Sequence, residues 1–403
     1  MIDCSLRSRF RTVALHQALI DWMTRGVWLL TIVAADAAAA PIIPPPPNLA
    51  SSSYLLIDAN SQEVLVEKNA SERIPPASLT KIMTAYIVEQ EINSGRLKVE
   101  EMAPISVEAW RTGGSKMFIR EGTEVAVGDL LKGIIIQSGN DASVAIAEYI
   151  AGSEEAFASM MNQQAQALGL TNTSFLNSTG LPNENHYSTA EDLARLTIAL
   201  IKNHPEQYKL YAQRSFKFND ISQPNRNKLL WRDRSVDGVK TGYTAAAGYC
   251  LIASAERNGV RLVSVVLGTD SDEARMRESQ KLLSYGFRNF DTQTLYEAGV
   301  NLQQQDVYFG RQDKVELGVA EDIIVTFPRG YYEDIQVEMA LADYLEAPFP
   351  AGQAVGEIKL TLDGEQLYAA PLVTFAGVDE SNFFSRLGDS IYLFYASMFS
   401  DDG

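Results

Sequence analysis

One segment of this 403-residue chain combines a helix signal with the chemistry of a nucleophile: Ile74-Pro75-Pro76-Ala77-Ser78-Leu79-Thr80-Lys81-Ile82-Met83-Thr84. Two prolines restrict the backbone ahead of Ser78, and apolar residues then recur at helical spacing. The pattern therefore predicts a helix with Ser78 in its first turn. Residues three apart share a helix face, which places the Lys81 amine near the Ser78 hydroxyl. Taken alone, Ser78 to Lys81 is more typical of a capping serine followed by a solvated lysine.

The pair has a chemical meaning if the lysine is neutral. A serine hydroxyl becomes a nucleophile when a neighbouring base takes its proton, and a lysine can be that base once burial and nearby cations lower its pKa. Backbone N–H groups at a helix start also point toward negative charge that develops on an attacked carbonyl oxygen. Ser78 and Lys81 are therefore candidates for a nucleophile and its general base.

Two further motifs follow along the chain. Ser138-Gly139-Asn140 lies between an apolar run and a helical stretch, so it is predicted at a helix junction that can aim two side chains into a cleft. Lys240-Thr241-Gly242 ends a strand-like run that begins at Val236, and its glycine allows a ligand to approach the backbone closely. Each motif alone is more typical of an ordinary helix cap or an edge strand. The three together indicate serine acyl transfer.

The combination resembles the signature of the penicillin-binding proteins, with Gly139 in place of an aspartate. This variant is similar to the low-molecular-mass members, the D-alanyl-D-alanine carboxypeptidases of bacterial cell walls. The blocks His186 to Ala190 and Val236 to Thr244 also resemble that family. The resemblance extends from about Ala50 to the C-terminus.

The resemblance implies a role for each motif residue. Ser78 is the acylated nucleophile and Lys81 its general base. Backbone N–H groups of Ser78 and Tyr243 form the oxyanion hole. The residues that relay the proton to the departing D-alanine and position the peptide are Ser138, Asn140 and Lys240. The residues that contact the substrate are Lys240, Thr241, Gly242, Tyr243 and Arg275.

Two questions stay open at the substrate end. Arg275 occupies the place where relatives keep an arginine for the terminal carboxylate, a task that suits the two-pronged guanidinium. Arg277 is the alternative partner, and either arginine is also explained as surface charge on a helix. Tyr243 stands where several relatives have histidine, so any role of that histidine in activating water does not transfer to this chain.

The implied activity is removal of the terminal D-alanine from peptidoglycan stem peptides through an acyl-Ser78 intermediate, with no metal or organic cofactor. β-Lactam antibiotics are expected to acylate the same serine. The alternatives are a β-lactamase, for which the class A deacylating glutamate has no assignable counterpart, and a weakly active wall-shape or penicillin-sensing protein. Accompanying endopeptidase or transpeptidase activity is left open.

Other hydrolytic mechanisms lack the necessary residues. The chain has three histidines, no glycine-x-serine-x-glycine elbow and no histidine-glutamate-x-x-histidine motif, so neither a serine–histidine–aspartate triad nor a zinc site is indicated. His186 is instead predicted to be a structural polar residue. The net charge of −17 argues against a nucleic-acid partner.

The N-terminus indicates export. Arginines, the apolar segment Val27 to Ala35 and a run of alanines follow in the order of a secretory signal, so residues 1–40 are predicted to be a signal peptide. A start at Met23 fits the usual order of a signal peptide better than a start at Met1, because Met23-Thr24-Arg25 lies just before the apolar segment. Residues 41–49 form a proline-rich spacer. Signal removal leaves Cys250 as the single cysteine and excludes an intramolecular disulfide. A periplasmic location follows.

The predicted fold class is α+β. Residues 50–290 begin with a hairpin of Ser53 to Asp58 and Gln62 to Glu67, continue with helices, and return to strands only from Val236 onward. This order predicts an antiparallel sheet flanked by helices, with the motifs at one sheet edge, and it matches the β-lactamase/transpeptidase-like arrangement that the resemblance implies. Residues 291–380 contain short β-like runs and an Asp363-Gly364 turn, which predict a small all-β domain.

Residues 381–403 carry apolar side chains at helical spacing, including Phe384, Leu387 and Ile391, and so predict an amphipathic helix. The resemblance implies that this helix attaches the protein peripherally to the outer leaflet of the cytoplasmic (inner) membrane. The polar face has little basic charge, so packing against the β-rich domain is the alternative. The sequence leaves open whether the protein forms a homodimer.

Overall fold

The structure, a computed structural model, describes the backbone of residues 43–399 and the side chains of residues 43–395. The predicted signal peptide, the alternative start at Met23 and the first two residues of the spacer lie outside the described residues. Two successive domains and a final helix follow.

The first domain contains nine strands and nine helices. Its strands are β1 (Ser53–Asp58), β2 (Val64–Lys68), β3 (Met102–Pro104), β4 (Glu124–Ala126), β5 (Ser215–Phe218), β6 (Ile221–Pro224), β7 (Val236–Thr244), β8 (Gly248–Arg257) and β9 (Val260–Thr269). Its helices are α1 (Lys81–Asn93), α2 (Val107–Arg111), α3 (Val127–Lys132), α4 (Asn140–Ala151), α5 (Glu154–Ala167), α6 (Ala190–Asn203), α7 (Pro205–Tyr208), α8 (Leu229–Arg232) and α9 (Asp272–Asn289).

A five-stranded antiparallel sheet in the order β2-β1-β9-β8-β7 forms the centre of this domain. Strand side chains alternate between the two faces of a sheet. In β1, Leu55 and Ile57 therefore pack in one apolar cluster with α1, whereas Tyr54 and Leu56 pack in another with α9. Helices cover both faces, which confirms the predicted α+β arrangement. Strand β7 lies at one edge of the sheet.

The prediction that strands are absent between the first hairpin and Val236 is wrong in two places. Strands β3 and β4 form one two-stranded sheet, and β5 and β6 form another. These strands have three or four residues each, too few to show a period of two in the sequence. The first hairpin itself agrees at β1, while β2 begins at Val64 instead of Gln62.

The second domain is all-β, as predicted. Its strands are β10 (Phe290–Tyr296), β11 (Gln303–Tyr308), β12 (Lys314–Gly318), β13 (Ile323–Pro328), β14 (Gln336–Leu341), β15 (Leu345–Glu346), β16 (Ala354–Leu362) and β17 (Glu365–Thr374). They form a β10–β13 pair and a six-stranded sheet in the order β14-β16-β17-β12-β11-β15. Asp363 and Gly364 join β16 to β17 with φ of 51° and 82°, the left-handed values that a tight hairpin turn of this composition adopts.

A hydrogen-bonded network links the two domains. The buried Asp58 at the end of β1 accepts a hydrogen bond from Thr292 Oγ1 at 2.7 Å. Thr292 Oγ1 lies 2.8 Å from Thr326 Oγ1, which in turn lies 2.6 Å from Ser61 Oγ. Side-chain hydrogen bonds thus connect the end of β1 and the loop that follows it, in the first domain, to the β10–β13 pair in the second domain.

The last helix, α10 (Phe383–Phe399), contacts the second domain through its polar side. Asp389 accepts a hydrogen bond from the Phe309 backbone N–H at 2.7 Å, and Tyr392 stacks on Tyr308 with ring centroids 5.8 Å apart. The apolar face of α10, defined by Phe384, Leu387 and Ile391, is exposed; Phe384 is 82% exposed. The helix therefore does contact the β-rich domain, as the alternative expected, but through Asp389 and Tyr392, while Leu387 and Ile391 stay about half exposed. In the described residues, no helix is long and apolar enough to cross a membrane.

Candidate active site

The three sequence motifs meet in one cleft of about 540 Å³ beside strand β7. Ser78 comes from the segment before α1, Ser138 from the segment before α4, and Thr241 from the sheet edge. The residues that line the cleft are Ser78, Ser115, Gln137, Ser138, Pro224, Asn225, Arg226, Lys228, Thr241, Gly242, Tyr243, Tyr249, Asp272 and Arg275.

Ser78 lies in a 3-10 turn, Ala77–Thr80, that leads into α1. The sequence predicted Ser78 within the first turn of the helix itself, but the α-helix begins at Lys81. Ala77, at the start of this turn, has a left-handed φ of 49°, so the chain enters the turn from a non-helical conformation. The tight turn still brings Lys81 Nζ within 3.2 Å of Ser78 Oγ, as the three-residue spacing predicted.

The amine of Lys81 is held by long-range partners. Its side chain is 1% exposed, and Nζ donates to Asn140 Oδ1 at 2.7 Å and to the Thr179 carbonyl at 2.5 Å. Burial and the charge of Arg226 lower the pKa of Lys81 to about 7, although Asp141 and Glu154 act in the opposite direction. A large fraction of these amines is therefore neutral near pH 7, the form that a general base requires.

The second motif lies at a helix junction, as predicted. A π-helical turn over Gly133–Gln137 ends at Ser138, which has a left-handed φ of 63°, and α4 starts at Asn140. Asn140 uses both ends of its amide, because Oδ1 accepts from Lys81 while Nδ2 donates to the Gly113 carbonyl at 2.7 Å. Ser138 Oγ is buried and has no hydrogen-bond partner among the described residues. Ser138 lines the cleft, and its hydroxyl has no protein partner to give up before it binds a substrate group.

Asp141 organises a loop beside this motif, a role that the sequence did not indicate. Its carboxylate accepts hydrogen bonds from the backbone N–H groups of Met117 and Phe118 at 2.9 Å each, and from that of Ile119 at 3.3 Å. Three N–H groups directed at one carboxylate hold the loop rigidly against α4. The indication that the sequence offered was that Asp141 directly follows the motif Ser138-Gly139-Asn140.

The third motif lies on the edge strand β7. Gly242 lets β7 approach the Ser78 turn closely, since a β-carbon at this position would make tight contacts of 3.2 Å with both the Pro76 carbonyl oxygen and Leu79. Lys240 is 2% exposed and donates to the Thr241 carbonyl at 3.0 Å. Burial, followed by the charges of Lys81, Arg226 and Arg275, lowers the pKa of Lys240 well below its usual value.

The structure separates the two arginines that the sequence left as alternatives. Arg275 is buried and donates from Nη1 to the carbonyls of Gly242 and Cys250 at 2.9 and 3.3 Å, and it lines the cleft. Arg277 pairs with Glu278 at 3.0 Å and does not line the cleft. Tyr243 is 54% exposed at the rim, with its ring 4.3 Å from that of Tyr249.

Two further residues support the Ala77–Thr80 turn that carries Ser78. Gly180 has a φ of 79°, and a β-carbon there would lie 1.8 Å from the Ala77 carbonyl oxygen, so only glycine fits against the turn. His186 Nε2 lies 2.8 Å from Thr80 Oγ1, and burial together with the charge of Lys81 lowers its pKa to about 4. A neutral, buried His186 is thus the structural polar residue that the sequence predicted. The sequence did not indicate a role for the turn-like segment Asn177-Ser178-Thr179-Gly180. This segment supplies the Thr179 carbonyl that binds Lys81 and the glycine that packs against Ala77.

The cleft is cationic in a strongly anionic chain. Arg226, Lys228 and Arg275 line it, with Asp272 as the acidic lining residue, and Lys81 and Lys240 lie behind its wall. Such a charge distribution favours an anionic ligand. Residues 43–395 contain no group of three or more His, Cys, Asp or Glu side chains that could hold a metal ion. A hydroxyl, a nearby amine of lowered pKa and a cationic end together can support acyl transfer from a carboxylate-bearing peptide.

Comparison with known proteins agrees with this chemistry. The family model described as D-alanyl-D-alanine carboxypeptidase matches residues 39–271, and that of the penicillin-binding protein 5 C-terminal domain matches residues 290–380. The D-alanyl-D-alanine carboxypeptidase DacC of Escherichia coli strain K12 is 42% identical over 392 residues, which cover 95% of this chain and 98% of the relative.

Solved structures show the same architecture. Penicillin-binding protein 5 from Haemophilus influenzae is 41% identical, with a TM-score of 0.82 over 84% of this chain and 100% of that one. Penicillin-binding protein D2 from Listeria monocytogenes, in its ampicillin-bound form, is 31% identical, with a TM-score of 0.56 over 60% of this chain and 100% of that one. Because the first family model covers more than half of the chain and DacC aligns over nearly its whole length, this chain belongs to the D-alanyl-D-alanine carboxypeptidase family.

Proposed function

We propose that this protein is a serine D-alanyl-D-alanine carboxypeptidase that removes the terminal D-alanine from peptidoglycan stem peptides. The observation that carries the proposal is the contact between Ser78 Oγ and the buried Lys81 amine, at 3.2 Å, in a cleft with a cationic end. Attack by Ser78 on the carbonyl before the terminal D-alanine forms an acyl-enzyme, and water then releases the shortened peptide.

Lys81 acts in this proposal as the general base that takes the Ser78 proton. Ser138 and Lys240 pass a proton to the nitrogen of the departing D-alanine, and Asn140 holds the Lys81 amine in place through the 2.7 Å hydrogen bond. The backbone N–H groups of Ser78 and Tyr243 stabilise the oxyanion. Two observations support these roles. The Ser138 hydroxyl has no hydrogen-bond partner among the described residues, and β7 closely approaches the Ala77–Thr80 turn that carries Ser78.

Thr241 and Arg275 bind the terminal carboxylate. Binding of that anion near Lys240 would raise the pKa of its amine, because an opposite charge favours the protonated form. β-Lactams acylate Ser78 because their strained amide takes the place of the scissile peptide bond. Incubation with a pentapeptide ending in two D-alanines tests the activity through release of one D-alanine, and mass spectrometry after penicillin treatment tests the acylated residue.

Acylation is expected to depend on pH through Lys81. The pKa of about 7 means that the neutral amine falls about tenfold for each pH unit below that value, so the acylation rate should rise with pH and level off above about 7. The measurement is the second-order rate of labelling by a fluorescent penicillin from pH 5.5 to 8.5. Circular dichroism over the same range controls for unfolding. A rate that is constant across this range would contradict Lys81 as the base.

We further propose that the protein acts in the periplasm and lies against the outer leaflet of the inner membrane through α10. The exposed apolar face at Phe384, Leu387 and Ile391 supports attachment, since burial of such side chains in the lipid boundary is favourable. The polar side of the helix is already engaged with the second domain at Asp389 and Tyr392, which leaves the apolar face outward.

Substitution on this face is expected to release the protein from membranes. Phe384→Glu combined with Ile391→Glu places two charges on the apolar face, whereas Ser385→Glu adds one charge at an exposed position on the opposite, polar side of the helix and is the control. Sedimentation with phospholipid vesicles should be lost in the double variant and kept in the control, with turnover of a soluble pentapeptide retained by both. Deletion of residues 381–403 should also abolish sedimentation. Vesicle binding by the double variant would exclude this face as the attachment site.

A further inference from the structure

A chain of ionic contacts crosses one end of the cleft. Arg275 Nη1 donates to the Gly242 carbonyl at 2.9 Å, and Arg275 Nη2 donates to Asp272 Oδ1. The other carboxylate oxygen of Asp272 lies 2.5 Å from Lys228 Nζ. All three side chains line the cleft, and we refer to them as the Lys228–Asp272–Arg275 bridge.

The bridge joins two segments that the fold holds in place. Lys228 immediately precedes α8, and the adjacent Asn227 donates from Nδ2 to the Gly238 carbonyl of β7 at 2.7 Å. Asp272 is the first residue of α9, which Ser271 caps through a hydrogen bond from the Ala274 N–H at 3.1 Å. The bridge therefore spans from the segment before α8 to the start of α9, beside the edge strand.

Asp272 is held as an anion in this position. Partial burial acts to raise its pKa, but hydrogen bonds and charges from Lys228 and Arg275 outweigh that effect and lower it. The first turn of a helix also favours a negative charge. Exposure of the side chains increases outward along the bridge, from 9% at Arg275 to 33% at Asp272 and 63% at Lys228. The contacts thus form a wall at the mouth of the cleft, beyond the buried arginine.

In the proposed binding mode, the departing residue extends toward this wall. This step rests on the proposed function, in which the terminal carboxylate binds beside Thr241 and Arg275. Anything larger than the methyl side chain of D-alanine, or any residue that follows it, has to enter the space bounded by Asp272 and Lys228. To do so it must separate Asp272 from its two cations. The exposed Lys228 contact is weak, so the main cost is the loss of a partner for the largely buried Arg275.

We infer that the Lys228–Asp272–Arg275 bridge limits the size of the departing residue and so restricts the site to stem peptides that end in D-alanine. Lys228 and Asp272 are then specificity-determining residues for the reaction. Cross-linked peptides, in which a larger residue follows the scissile bond, would be poor substrates for the same reason.

The test compares two peptides that differ only in the departing residue. One is diacetyl-L-lysyl-D-alanyl-D-alanine, and the other ends in D-norleucine, which keeps the carboxylate and lengthens the side chain by methylene groups. The measured quantity is the ratio of kcat/KM for the two peptides. Extra methylene groups change such ratios by about 10–200-fold in a closed pocket. Asp272→Ala should reduce the preference for D-alanine by about tenfold, and Lys228→Ala should reduce it in the same direction.

A matched control is available between the same two helices. Arg232 of α8 and Glu273 of α9 form an exposed ion pair at 3.3 Å, and neither residue lines the cleft. Arg232→Ala should keep the wild-type ratio. If thermal melting shows that Asp272→Ala does not fold, Lys228→Ala decides the question, because its side chain is largely exposed.

Three results would overturn the inference: unchanged ratios in both bridge variants, an equal change in Arg232→Ala, or a wild-type enzyme that cleaves both peptides equally well. These results differ from a failure of the proposed function. In that case the wild-type protein would release neither D-alanine from the first peptide nor D-norleucine from the second, and penicillin would not label Ser78.

Discussion

Replacement of Ser78 by alanine is expected to abolish both covalent labelling by penicillin and release of D-alanine. Only one hydroxyl is removed, from a 3-10 turn that the backbone conformation of Ala77 and the contact with Gly180 define, so the fold should be retained. The loss should be on the order of 10⁶-fold, as expected when the nucleophile of a serine hydrolase is removed. The measurements are the mass increase after penicillin treatment and the turnover of a pentapeptide.

Ser94→Ala provides the control for this variant. Ser94 lies just beyond the opposite end of α1, where its hydroxyl donates to the Glu91 carbonyl at 2.9 Å and does not line the cleft. Its labelling and turnover should equal those of the unmodified protein. Stoichiometric penicillin adducts on the Ser78→Ala protein would show that another residue is the nucleophile.

Removal of the Lys81 amine is expected to lower acylation by about 10²–10⁴-fold, the usual contribution of a general base. Two variants separate the base from a simple positive charge. Lys81→Met removes both, whereas Lys81→Arg keeps a charge that cannot be lost at neutral pH. If Lys81 is the base, both variants should be slow. The rate of labelling by a fluorescent penicillin is the measurement.

Stability must be measured alongside these rates. The methionine variant leaves Asn140 Oδ1 and the Thr179 carbonyl without the amine that donates to them, at a cost of about 1–3 kcal/mol each if no water replaces it. Lys209→Met is the control, because Lys209 forms an exposed ion pair with Glu206 outside the cleft. An arginine variant with a near-normal labelling rate would show that charge, and not proton transfer, is what this position supplies.

Local features of the site could be predicted from the sequence because each lies within one element. The three-residue spacing of Ser78 and Lys81 brings their side chains together whether the turn is 3-10 or α-helical. The predicted contact is therefore correct although the predicted start of the helix is wrong. The Asp363-Gly364 turn and the strand Ser53–Asp58 were equally local, and the structure agrees with them. The same reasoning missed β3 to β6, whose strands are too short for a detectable period.

The motifs did not predict contacts between segments that are distant in sequence. The sequence could associate Lys81 with Asn140 only by resemblance, and it did not indicate the Thr179 carbonyl, although both hold the amine whose lowered pKa the chemistry needs. Asp141 was likewise visible beside its motif, but its three backbone partners come from a loop more than twenty residues earlier.

The sequence by itself determined the class of reaction and predicted its nucleophile and base, because side-chain chemistry and short spacing are properties of the chain. The tertiary structure decided which arginine faces the cleft, that Lys228 and Asp272 pair at its end, and which side of α10 stays exposed. The physical reason is that these features depend on the register of β7 at the sheet edge and on the packing of helices against it. The burial of a side chain at this sheet edge, and the charges around it, depend on segments that are far apart in sequence. No single segment of the sequence therefore predicts them.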